Sequence, residues 1–176
     1  ESNSKVAIYD AGFLLGDGLF ETIRFEKNLI PFFDKHLDRL FSGVRQLRYK
    51  LRYNRDEIEK IVFKAIKSNQ LQRGIVRVIV SRGSLEGFDF RKPTQSNLYV
   101  LLKALPDIPK MPVEIMLLPS EQFNQRKGKN ILKMLSYAGN IQAIKEAENQ
   151  SIFEPIFYDE QKRIKEGATK NIFFVK

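Results

Sequence analysis

Three residues have side chains and settings suited to group-transfer chemistry: Lys133, Glu166 and Arg39. Lys133 follows Ile131 and Leu132 at what reads as the start of a helix. An ammonium there lies beside the positive end of the helix dipole and among apolar neighbours, and both disfavour its charged form. A neutral amine is what Schiff-base formation requires; the alternative is an ordinary surface lysine. Glu166 stands directly before Gly167. A carboxylate beside a residue without Cβ can approach a flat ligand closely, or it is a surface glutamate in a turn. Arg39 follows His36 by three residues, so both lie on one side of a predicted helix, at the border of its apolar stripe. Its guanidinium can grip a phosphate bidentately, or snorkel with its stem over the core. His36 by itself reads as a packing or hydrogen-bonding residue. The Gly-Asp-Gly at 16–18 resembles part of a phosphate loop, but neither GxGxxG nor GK[ST] is completed.

Composition narrows the classes. The chain has 176 residues, 43 % of them apolar and 29 % charged, which suits a globular fold and excludes a collagenous, disordered or coiled-coil chain. It has no cysteine and one histidine. That excludes disulfides, zinc fingers, iron–sulfur clusters, cysteine catalysis and a multi-histidine metal site, so no metal is expected. A reducing, cytoplasmic compartment fits. No apolar run approaches the roughly 20 residues of a membrane span. The net charge of +9 comes from 30 basic against 21 acidic residues. The charges are interleaved, as in RDEIEK at 55–60, and read as a solvated surface; a basic nucleic-acid-binding module is the alternative, without an RNA-binding motif to support it.

The elements that must position these residues read as α+β. Strands are expected at 5–9, at 18–33 as a pair around Lys27–Asn28, at 75–81 and at 98–102. Phe33, Leu37, Leu40, Phe41, Val44 and Leu47 recur at helical spacing over 33–47, with Asp34 as N-cap. A second helix is expected over 56–69. Three prolines fall within 104–112, and a linker is assigned to 106–112. It divides a small α+β domain, 1–105, from the beginning of a second domain, 113–176. That second part should hold a strand at 113–118, a polar loop at 119–130, a helix at 134–148, and strands at 156–159 and 171–175 around a turn at 159–163. The apolar run NIFFVK at the end of the sequence suggests that more chain belongs to this fold.

Four stretches, in this order, carry a resemblance: DAGFLLGDGLFETIR (10–24), FFDKHLDRL (32–40), LKMLSYAGNIQAIKEA (132–147) and EGATKNIFFV (166–175). Together they resemble the class IV aminotransferases, the fold-type IV pyridoxal-phosphate enzymes. The resemblance implies a two-domain architecture with a small N-terminal α/β domain and a larger mixed-sheet, cofactor-binding domain, of which 113–176 would be the first part. It implies pyridoxal 5′-phosphate as cofactor, with Lys133 as the Schiff-base lysine that also moves the substrate Cα proton. Arg39 would hold the cofactor phosphate, Glu166 would pair with the pyridine nitrogen, and Asn171 would support the cofactor loop. Phe20 and Thr22 match positions that face the substrate. Ser136 stands where the family usually has Asn. The stretch RGSLEGF after the turn at 82–83 lacks the Arg and His that D-amino-acid enzymes place there. The wording of 12–24 leans toward aminodeoxychorismate lyase, which makes 4-aminobenzoate and pyruvate for folate biosynthesis, or toward a general amino-acid transaminase. A homodimer acting on a small amino-acid-like substrate is expected, with no membrane or nucleic-acid partner. An inactive fragment with the family fold is the remaining alternative.

Overall fold

The structure is a computed structural model that describes residues 5–27, 29–86, 89, 92, 95–107, 109–123 and 132–175. It divides into two compact units, one of Glu1–Pro106 with Leu132–Ser136, the other of Asp107–Ile131 with Tyr137–Lys176. Residues 132–136, which the sequence reading assigns to the second domain, therefore cluster with the first unit.

The first unit is a three-stranded antiparallel sheet, with β1 (Gly18–Glu26), β2 (Arg73–Ser81) and β3 (Asn97–Ala104) in that order. Successive side chains in a strand point to opposite faces. Leu19, Ile23 and Phe25 of β1 therefore join Val76, Val78 and Val80 of β2 in one buried cluster, and Leu98, Val100 and Leu102 of β3 pack against it. Two helices supply the other half of that core. From α2 (Phe33–Gln46) come Phe33, Leu37, Leu40 and Val44; from α3 (Arg55–Asn69) come Ile58, Val62 and Ile66. The N-terminus of α3 is closed by a capping box between Asn54 and Glu57. The start of α2 differs from expectation. Its N-cap is Phe32, in the left-handed region and without a side-chain bond, and Asp34 instead pairs with Arg55 at 3.3 Å.

Two expected strands of this unit do not form. Residues 5–9 carry no strand, and Val6, Ile8 and Tyr9 are exposed; the chain turns there and Asp10 caps the short helix α1 (Ala11–Leu15). After β1 only a single bridge, Glu26 to Leu29, is made. Pro31, which has no N–H to extend a ladder, follows at once. Asn28 of the expected turn lies outside the described residues.

The second unit holds β4 (Ile115–Pro119), β5 (Glu154–Tyr158) and β6 (Ile164–Gly167), with β4 parallel and β6 antiparallel to β5. A single 3-10 turn, Ser120–Phe123, follows β4, and 124–131 of the expected polar loop lie outside the described residues. Helix α4 spans Ala138–Asn149 and buries Ala143 and Ala147; Ala143 packs with Phe123, Phe157 and Ala168. It begins four residues later than the sequence suggests. The hairpin after β5 is tight because Asp159 Oδ1 accepts from Gln161 N at 3.0 Å and Arg163 N at 2.9 Å. The return strand is therefore 164–167. Residues 171–175 form no strand, and Phe173, Phe174 and Val175 are exposed: no described segment flanks them to take up a ladder.

Candidate functional site

In the first unit β1 separates the candidate residues onto two faces. Its even-numbered residues, Phe20 and Thr22, face away from the helices. The segment 132–136 runs antiparallel along the edge of β1, with Phe20 N donating to Lys133 O at 2.9 Å and Leu135 N to Gly18 O at 2.8 Å, and with a bridge between Leu19 and Met134. Leu132 and Met134 pack on the core. Lys133, between them, therefore takes the opposite face, where its Nζ lies 4.9 Å from the centroid of the Phe20 ring. The sequence reading put Lys133 at a helix start; it stands instead in an extended segment, five residues before α4, so the dipole argument for a neutral amine does not apply.

The same ring carries a second cation. Arg77 of β2 is paired in register with Thr22, donates from Nε to Thr22 Oγ1 at 3.1 Å, and holds its Cζ 4.9 Å from the Phe20 centroid. Lys133, Phe20, Thr22 and Arg77 are thus brought together. Arg77 was not singled out in the sequence, although a lone cation inside the apolar run IVRVIVS was a usable signal.

The glycines of the 16–18 motif have a geometric task rather than a phosphate-binding one. Gly16, at φ 65°, ends α1 in the left-handed region. A Cβ on Gly18 would fall 2.4 Å from Leu135 Cδ1 and 3.0 Å from Val80 O, so its absence lets the lysine-bearing segment approach β1. Asp17 between them is held by Tyr49 Oη at 2.5 Å and by Arg82 Nε. Asp10, 1 % exposed, anchors the preceding segment by accepting from Gly12 N, Ser81 Oγ and Asn97 Nδ2, each at 2.7 Å, and from Tyr99 Oη at 3.0 Å. Burial pushes its carboxyl up, but these donors outweigh that and hold it below the ordinary carboxylate value.

The other face of β1 carries Arg39. Glu21, 1 % exposed among core residues, accepts Arg39 Nε on Oε1 and Arg39 Nη2 on Oε2, both at 2.6 Å. His36 Nδ1 lies 2.7 Å from the same Oε2. Burial raises the Glu21 carboxyl, and the bonds from Arg39 and His36 more than reverse this, so it lies below its usual range. The Arg39 guanidinium is correspondingly raised, by its bonds to Glu21 first. Two of its five N–H donors are spent on Glu21, and its side chain is 52 % exposed, which leaves its remaining edge turned outward. Arg39 is thus neither snorkelling nor isolated. His36 and Arg39 do lie together, as their spacing implied, and the residue that joins them, Glu21, was missed.

In the second unit Glu166 sits opposite Phe157 in the β5–β6 pairing. Its side chain is exposed and bonds to no described residue. Gly167 is required for a reason nearer than a ligand: a Cβ there would fall 2.7 Å from Lys170 O. The turn after it is held from two sides. Glu154 accepts Lys170 N at 2.9 Å and Lys170 Nζ at 2.8 Å, while Ala168 O accepts Asn140 Nδ2 at 2.8 Å and Tyr137 Oη. Asn171 is exposed, and these turn contacts come from Glu154, Tyr137 and Asn140. Among the described residues no helix is long and apolar enough to cross a membrane, and no group of three His, Cys, Asp or Glu could hold a metal ion.

Comparison with known proteins accords with this architecture. The chain is 31 % identical over 182 residues to aminodeoxychorismate lyase of Bacillus subtilis, with all of this chain and 61 % of that protein covered. It is 27 % identical over 183 residues to a Methanocaldococcus jannaschii protein provisionally named branched-chain-amino-acid aminotransferase, again over the whole chain and 62 % of the relative. The chain thus spans about three fifths of the length of the relatives it matches. Among solved structures, the branched-chain amino acid aminotransferase of Escherichia coli superposes with a TM-score of 0.80 at 18 % identity, over 95 % of this chain and 59 % of that one. A hypothetical aminotransferase from Mycobacterium tuberculosis in its PLP-bound form gives 0.75 at 20 % identity, over 96 % and 61 %. At those identities the likeness is one of fold: fold-type IV. The profile of the family described as amino-transferase class IV matches residues 18–176, and the chain belongs to that family.

Proposed function

We propose that the complete protein is a pyridoxal-5′-phosphate-dependent enzyme acting on the α-amino group of a small amino-acid-like substrate, as an aminodeoxychorismate lyase or an amino-acid transaminase. The observation that carries this reading is the placement of Lys133. Its carbonyl accepts a hydrogen bond from Phe20 N of β1, a second bond from Leu135 N to Gly18 O holds the same segment, and its amine lies over Phe20, on the face that also bears Thr22 and Arg77. When bound, the cofactor supplies an aldehyde conjugated to an electron-accepting ring.

Residue by residue, the side-chain chemistry present suits that group. Lys133 Nζ is the amine that holds it and the base that takes the substrate's Cα proton. Arg39, anchored by Glu21 through one edge, offers the other edge to the phosphate. Glu166 has both carboxylate oxygens uncommitted among the described residues, so it can keep a ring nitrogen protonated, and Asn171 stands exposed just beyond the same turn. Phe20 and Thr22 line the substrate side. The second unit would be the beginning of the cofactor-binding domain, and the working form a cytoplasmic homodimer.

Borohydride reduction of the full-length protein with pyridoxal phosphate tests the assignment. A covalent adduct on the peptide containing Lys133, absent in Lys133→Ala, is expected; an adduct that survives that substitution refutes it. Products from aminodeoxychorismate, set against those from leucine and glutamate, separate lyase from transaminase.

A further inference from the structure

Glu154 has no role in the chemistry proposed above, yet its carboxylate is closely engaged by the described residues around it. It is 3 % exposed at the first position of β5. Its Oε1 accepts Thr169 N at 2.5 Å and Lys170 N at 2.9 Å. Its Oε2 takes Thr169 Oγ1 at 3.0 Å and Lys170 Nζ at 2.8 Å, and that ammonium also covers the Phe153 ring at 4.5 Å. Burying a carboxylate is costly unless its oxygens are bonded, and here the bonds go to two consecutive amides of the turn that leaves Glu166. Gly167 lies in the gap: an added Cβ would be 3.1 Å from Glu154 Oε1. Ala168 N donates to Pro155 O at 3.0 Å, which ties the turn to the same end of β5. Glu166 itself bonds to no described residue, so its direction is set by the backbone on which it sits.

We propose that Glu154 is a positioning residue for Glu166, holding the 168–170 turn from beneath so that the Glu166 carboxylate keeps one orientation toward the cofactor ring. The inference rests on the reading of Glu166 as the ring-nitrogen partner. The Glu154 carboxyl lies below its usual value, because the Lys170, Thr169 and backbone bonds outweigh burial, and it therefore stays an acceptor across the neutral range.

The test uses the full-length protein and two measurements: amide hydrogen exchange over 166–170 without cofactor, and the pH midpoint of the absorption change of bound pyridoxal phosphate. Glu154→Leu is expected to speed exchange in that turn by about tenfold and to move the midpoint in the same direction as Glu166→Gln. Glu154→Gln keeps an oxygen for the two amides and should restore most of the wild-type behaviour. Gly167→Ala, which pushes on Lys170 O, should act like Glu154→Leu and carries the test if that variant does not fold. Phe123→Leu, a core change away from the turn, should lower the melting temperature and leave the midpoint in place. A midpoint unmoved in Glu154→Leu or Gly167→Ala, while Glu166→Gln moves it, overturns the proposal. So does a Glu154→Gln midpoint displaced as far as that of Glu154→Leu, since the carboxylate would then act through its charge. If Glu166→Gln itself moves nothing, the role of Glu166 fails, and this inference with it.

Discussion

Replacing Glu21 by Gln removes a charge that is almost wholly buried while keeping the side-chain shape. Three bonds converge on that carboxylate, two from Arg39 and one from His36. Hydrogen bonds to a charged group contribute about 1.5–3 kcal/mol each. The Arg39 share is discounted because its side chain is half exposed and can turn into water. Gln also points an NH2 at one of the donors. The expected loss at neutral pH is about 2–4 kcal/mol. Removing both charges with Glu21→Leu and Arg39→Met should cost less than Glu21→Gln, because the ion pair goes as a unit and only His36 Nδ1, on a side chain that reaches solvent, loses its partner. The pH dependence fixes the sign. The Glu21 carboxyl in the folded protein lies below its ordinary value of 4.5. Between those two values the unfolded chain binds more protons, so stability rises with pH. The contribution is complete above 4.5 and lost as pH falls through the lower, folded value. Urea unfolding of wild type and Glu21→Gln, with hydrogen exchange of β1 amides to assign the transition, should show a gap that narrows from pH 7 to about pH 3.5. The other depressed carboxyls are present in both proteins and cancel. A gap of equal size at both pH values, or none at pH 7, refutes the reasoning.

Asn54→Ala should cost about 1 kcal/mol by opening the α3 capping box, read as a lower urea midpoint with an unchanged m-value. Asp10→Ala strips a buried acceptor from four donors and should cost about 3 kcal/mol, with faster exchange of the Gly12 amide. Gly139→Ala places a methyl 1.8 Å from the backbone oxygen of Phe123; main chain must move, and a loss of about 3 kcal/mol or more should accompany reduced helicity of α4.

Much of this arrangement was legible where a pattern ran long enough to have one period. The apolar spacing of 33–47 and 56–69 places α2 and α3 to within a residue or two, and the alternation in 18–26 gives β1. Residues 134–136 read as the opening of the helix expected over 134–148 because ILKML satisfies both periods over five residues: Leu132 and Met134 alternate as in a strand, while Ile131, Leu132 and Leu135 fit a helix. Length arbitrates between such readings, and here the length was too short to do so. Residues 171–175 have strand-like composition, but a strand is a pairwise object and they lack a described neighbour. Asp159 was visible as part of a turn, yet only its bonds to 161 and 163 fix how tight the hairpin is.

Glu21 shows what a sharper reading of parity offers. In GLFETIRFE the residues 19, 21, 23 and 25 share a face, and three of them are Leu, Ile and Phe. A glutamate on that parity must be buried, and a buried carboxylate requires donors from whatever packs on the sheet. The helix that follows β1 offers His36 and Arg39 on one side, so the sequence itself implies the partner set. The consequence is functional as well as structural. One short strand carries Phe20 and Thr22 under Lys133 on one face and, through Glu21, fixes Arg39 on the other. A displacement of β1 therefore moves the amine and the proposed phosphate cation together, so variants in its backbone contacts should alter cofactor retention before they alter the fold of α2 and α3.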